Sequence, residues 1–246
     1  NQLLWETRGL VQITLLSDHG HTYTPSRQIP LAEHLQGRGW RLVQKLAGPK
    51  DVAYVRFGLV TYASFATNSP AELAADVAAC EGVELVSYAR DDAVVVLDGA
   101  GGRAVVRRRG GRFSYAAEQG DPLKLTGVLA GLRADEHGTY DADALLAATV
   151  DHAYPAPLQR LWRAHFALVE NPPDVIASLG NAWHSGAASF AGVVDMASTH
   201  GGLNRTNSVT FILSTAGPLP AVLRSRDIPK ALGALFGRPF PYRPGG

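Results

Sequence analysis

The chain has 246 residues, 46% hydrophobic and 18% charged, proportions of a globular protein able to bury one large core or two small ones. A formal charge of +1 supplies no bulk attraction to a nucleic-acid polymer or an anionic membrane, so any phosphate recognition must be local. The single cysteine, Cys80, excludes a disulfide framework and a cysteine-rich zinc site.

The first informative stretch is Gly9 to Gly20, GLVQITLLSDHG. Leu10 to Leu16 carry no charge, which predicts a strand buried on both faces of a largely parallel sheet. It ends in Ser17, Asp18, His19 and Gly20, where side chains at the carboxyl end of a strand face a ligand crevice. Asp18 offers a hard oxygen and His19 an imidazole nitrogen, the ligand types that a zinc-like ion takes. The competing structural role is an Asp that caps the next element. With Met196 the only methionine and a core strand so near Asn1, we expect the carboxyl portion of something larger or a processed chain.

His21 to Pro30 is a polar loop, and Leu31 with Leu35 has helical spacing in a short segment stopped by Gly37 and Gly39. His34 on it is expected to be a helix residue rather than a ligand. Asp51 to Ala66 is rich in aromatic and β-branched residues and reads as one or two strands. Ser69-Pro70 opens a helix that continues to Gly82. Val83 to Tyr88, Asp91 to Leu97, Arg103 to Arg108 and Arg112 to Tyr115 then read as strands, the last three antiparallel across turns at Asp98–Gly102 and Gly110-Gly111. We expect residues 50–125 to form an inserted α+β subdomain. Its Arg103, Arg107, Arg108, Arg109 and Arg112 flank the Gly-Gly turn and read as a solvated hairpin tip rather than a phosphate site.

Asp141 to Asp151 is a helix begun by an Asp cap, and Leu158 to Val169 is a second. His152 and His165 read as structural. Val175 to Leu179 is a short apolar strand, and Gly180 to Gly192, with Trp183 and His184, reads as a surface loop beside a strand end. Thr199-His200-Gly201 precedes another apolar strand, Val209 to Ser214. Asp227-Ile228-Pro229 caps a closing helix, Lys230 to Phe236, ended by Gly237.

Asp18, His19 and His200 are therefore the candidate metal ligands, about 180 residues apart in the chain. The strand ending in Ser17-Asp18-His19-Gly20, the late Thr199-His200-Gly201 and the closing Arg226-Asp227-Ile228-Pro229 resemble the carboxyl half of the alkaline phosphatase superfamily, nearest its nucleotide pyrophosphatase and type I phosphodiesterase branch. The Gly82 to Tyr88 strand, the arginine hairpin and Gly120-Asp121-Pro122-Leu123 are similar to the insert of bacterial members of that branch.

What the resemblance implies is an α/β fold, a mostly parallel sheet flanked by helices, with residues 1–49 and 126–246 as an incomplete metallohydrolase core. It also implies a phosphoric ester hydrolase with two Zn2+ ions, acting on a small phosphodiester or nucleotide-type substrate. Asp18 and His19 would hold the ion that also holds the nucleophile, and His200 the other. The family's early Asp, its Thr or Ser nucleophile and its Asp-x-x-x-His pair have no counterpart in residues 1–17, so the nucleophile stays unassigned; Thr22, Thr24 and Ser26 are not substitutes. The alternative is a non-catalytic fragment or degenerate binding module. No Gly-x-Ser-x-Gly elbow supports a serine hydrolase, and Gly99-Ala100-Gly101-Gly102 lacks the Lys and helix of a phosphate loop. No membrane span or secretory signal is visible, so a soluble domain of a bacterial cytoplasm or cell envelope is expected, of unknown oligomeric state.

Overall fold

The computed structural model describes residues 2–187, 189 and 196–239. Its strands are β1 (Thr14–Leu16), β2 (Arg27–Gln28), β3 (Arg41–Leu42), β4 (Asp51–Val55), β5 (Leu59–Val60), β6 (Tyr62–Thr67), β7 (Val83–Arg90), β8 (Ala93–Leu97), β9 (Arg103–Arg109), β10 (Arg112–Gln119), β11 (Val175–Leu179), β12 (Trp183–Gly186) and β13 (Ile212–Ser214). The helices are α1 (Gln2–Glu6), α2 (Leu31–Gly37), α3 (Pro70–Ala78), α4 (Thr126–Ala130), α5 (Ala142–Thr149), α6 (Pro157–Phe166), α7 (Arg205–Ser208) and α8 (Ile228–Phe236). Two units separate: residues 1–20 with 209–246, and residues 21–208.

The larger unit is built on an eight-stranded sheet, order β10-β9-β8-β7-β11-β6-β4-β3. Only β3 and β4 run parallel; every other neighbouring pair is antiparallel. The expected mostly parallel α/β core is thus corrected. The physical reason lies in the connections: Asp91-Asp92, Asp98–Gly102 and Gly110-Gly111 are too short for the crossover a parallel neighbour requires, so each folds the chain straight back. Asp98 Oδ1 accepts from the Ala100 and Gly102 N–H groups and closes the second of these turns.

Consecutive valines explain why this sheet has no wet face in its middle. Val86, Val95 and Val105 pack with Phe65, Val52, Val175 and Ala177 against Leu31 and Leu35 of α2 and Leu73 and Val77 of α3. Their neighbours Leu85, Val94, Val96 and Val106 point the other way, into a second cluster with Leu123, Leu125, Leu129, Leu145, Leu158 and Leu161. The period of two sends alternate residues to opposite cores. Phe65, Leu73 and Leu158 are almost wholly buried, each contributing about 1.5–3 kcal/mol by burial.

A smaller sheet, β2-β12-β5, lies in the same unit. The reading of Gly180 to Gly192 as a loop is corrected in part, because Trp183–Gly186 forms the central strand here; residues 188 and 190–195 lie outside the described set. Gly186 is required because a Cβ there would overlap the Gly58 carbonyl oxygen, so the two backbones meet without side chains between them.

In the smaller unit the apolar stretch expected to be a buried parallel strand is the three-residue β1, paired antiparallel with β13. Leu15, Leu16 and Leu213 are half exposed or more, so this ribbon is not a buried core strand. Helix α8 follows a turn of 3-10 helix at Ser225–Asp227 and stops at Gly237, whose φ of +65° supplies the left-handed cap. Among the described residues no helix is long and apolar enough to cross a membrane.

Candidate functional site

Thr22 and Thr199 set the geometry. They form an antiparallel bridge, with the Thr22 N–H donating to the Thr199 carbonyl at 2.9 Å and the Thr199 N–H returning to Thr22 at 3.0 Å. Both side chains are buried, and Thr199 Oγ1 donates to the Leu59 carbonyl at 3.0 Å. One residue outward on each strand the facing positions are 21 and 200, the close pair of an antiparallel ladder. Their imidazole rings accordingly lie 4.8 Å apart, centroid to centroid, tilted by 51°.

Thr61 holds the turn that leaves His200. The His200 carbonyl accepts from the Thr61 N–H at 2.8 Å, and the Gly202 N–H donates to Thr61 Oγ1 at 2.6 Å. Between them Gly201 has φ +113°, and a Cβ there would approach the Tyr62 ring to 2.8 Å. Only glycine fits this turn. Tyr23, 82% exposed, has its ring 6.4 Å from that of His21.

The other two candidate ligands belong to the smaller unit. Asp18 Oδ2 lies 3.3 Å from His19 Nε2, and its side chain is 82% exposed. His19 Nδ1 lies 2.9 Å from the Gly20 carbonyl and Ser17 Oγ donates to the His19 carbonyl at 3.0 Å. The Asp-His pair is thus folded onto itself, each partner occupying the other. In the larger unit the structure brings His200 together with His21, a residue that the sequence reading placed in a polar loop. No local signal in the sequence marks His21, whose place beside His200 depends on Thr22 meeting Thr199.

Four further histidines of this unit serve the fold. His34 Nε2 is 2.8 Å from the Asp76 carbonyl, tying α2 to α3, and His152 Nε2 is 3.1 Å from the Lys124 carbonyl. His165 is buried with Nε2 2.9 Å from Ser87 Oγ, and burial pushes its imidazole down to about 4. His184, also buried and lowered by burial, has Nδ1 3.0 Å from Ser26 Oγ. The arginines around the Gly-Gly turn do not converge: β9 alternates, and Arg108 lies over the Trp162 ring at 4.7 Å while Arg112 is engaged by Asp135 at 2.9 Å.

The His21–His200 pair can do one thing well. Two nitrogens on one tetrahedral zinc sit about 3.3 Å apart at Zn–N distances of about 2.0–2.1 Å, and a ring nitrogen of His21 and one of His200 lie within 4.8 Å of each other. No family model, no curated protein and no solved structure matches this chain.

Proposed function

We propose that this chain supplies part of a metal-dependent site for hydrolysis of phosphate esters, with His21 and His200 as two ligands of a zinc-like ion. The observation that supports the reading is the Thr22–Thr199 bridge, which sets the two imidazole centroids 4.8 Å apart. Two imidazoles are fewer than the three protein ligands that a catalytic zinc takes, so the remaining ligands would lie beyond this pair. The reading stands on ligand chemistry, since the parallel core that the resemblance implies is not the fold.

When bound, the ion supplies a Lewis acid for a phosphoryl oxygen. The chain's own residues orient and hold. Thr61 and Gly201 fix the backbone at His200, and Thr22 and Thr199 set its distance from His21. The nucleophile stays unassigned. The self-paired Asp18 and His19 favour the second reading, a binding module that hydrolyses nothing.

Zinc titration by calorimetry of the chain and of its His21→Ala and His200→Ala variants tests the first statement. Micromolar binding by the wild type, weakened at least about tenfold by either substitution, is expected; equal affinity in all three would sink it. Turnover of bis(p-nitrophenyl) phosphate by the zinc-loaded protein then separates the hydrolase from the binding module.

A further inference from the structure

We propose that Thr61 is the positioning residue of the imidazole pair, an inference that rests on the metal-holding reading above. Thr61 is fully buried and grips the turn that follows the histidine on both sides of Gly201. Its N–H donates to the His200 carbonyl at 2.8 Å, and its Oγ1 accepts from the Gly202 N–H at 2.6 Å. Its own carbonyl accepts from the Leu179 N–H at 2.9 Å, at the end of β11. The grip is therefore anchored in the large sheet rather than in another loop.

The close approach is built into the sequence. A Cβ at Gly202 would lie 3.2 Å from Thr61 Oγ1 and 3.4 Å from both Ser178 Oγ and Asn207 Nδ2, so glycine lets the loop settle within reach of the hydroxyls. One residue further, the Leu203 N–H donates to Ser178 Oγ at 2.9 Å. Two hydroxyls thus clamp successive amides, but of the two residues only Thr61 also holds the His200 carbonyl. Valine at position 61 keeps the shape and the backbone bond while leaving the buried Gly202 N–H without an acceptor. That change frees the backbone that aims the imidazole. Groups one shell behind a ligand commonly set metal affinity by about 10–100-fold.

The test is a Co2+ titration of the full chain, read by the visible d–d bands, in wild type, Thr61→Val, Thr61→Ser, Ser178→Ala and His200→Ala. We expect Thr61→Val to weaken Co2+ binding about 10–100-fold, Thr61→Ser to restore it, and Ser178→Ala to lower the unfolding midpoint while leaving Co2+ affinity near wild type. Wild-type affinity in Thr61→Val, or equal losses in Thr61→Ser or Ser178→Ala, would overturn the proposal. If His200→Ala binds Co2+ as the wild type does, the metal reading fails on its own, and Thr61 is judged in metal-free protein. There the imidazole NMR resonances of His21 and His200 must move in Thr61→Val and return in Thr61→Ser; unmoved resonances overturn it.

Discussion

At Gly201 a backbone requirement and a functional one coincide. Its φ of +113° lies in the region that side-chain-bearing residues avoid, and the Tyr62 ring occupies the space a Cβ would need. Gly201→Ala is expected to cost about 1–3 kcal/mol in urea unfolding and to weaken zinc binding in parallel, since His200 is its neighbour. A second residue-scale expectation comes from His165. Burial holds its imidazole near 4, whereas an unfolded histidine titrates near 6.5. The unfolded chain therefore takes up a proton between those values that the folded chain refuses. The contribution is complete above about pH 6.5 and is lost as pH falls through the window, about 2 kcal/mol by pH 5. His165→Gln should flatten that loss in urea titrations at pH 7 and 5; buried His184, shifted the same way, retains a smaller slope. His200 was legible in the sequence because a Thr-His-Gly before an apolar run marks a turn carrying a ligand type. His21 was not, because its significance depends on Thr22 meeting Thr199, a pairing 177 positions apart in the chain that no local pattern encodes.

Among the elements, those with local causes were readable. Helix α5 begins where Asp141 predicts it, with the carboxylate accepting from the Asp143 and Ala144 N–H groups at 2.8 and 3.1 Å. Asp141→Ala should lower stability by about 1 kcal/mol in thermal or urea unfolding. The β8–β9–β10 meander follows its Gly-rich turns for the same reason. What misled was the uncharged run before Asp18. Apolarity without alternation reports that a strand wants cover on both faces, not which way its neighbours run. The same composition occurs in β8, where the cover comes from two helical layers around an antiparallel sheet. Short apolar runs thus fix neither direction nor burial, since Leu10, Leu15 and Leu16 of the run before Asp18 are half exposed or more.

At the scale of the molecule, burial is uneven. The sheet of the larger unit has cores on both sides, while the ribbon of β1 and β13 presents Leu15 facing Leu213 with both largely exposed. Leu213→Lys is expected to change the unfolding free energy by less than about 0.5 kcal/mol, and to raise the concentration at which the protein stays monodisperse in light scattering. The order of the large sheet has its own consequence. Strand β11, from residues 175–179, is inserted between β6 and β7, which are joined in the chain by α3 alone. The middle of the sheet is thus supplied by one of the last strands the ribosome delivers. Until it emerges, the inner edges of β6 and β7 stand open, and hairpins β7–β8 and β9–β10 can zip early while the centre waits. In pulse-labelled hydrogen exchange during refolding, amides of β9 and β10 should gain protection before those of β6 and β11.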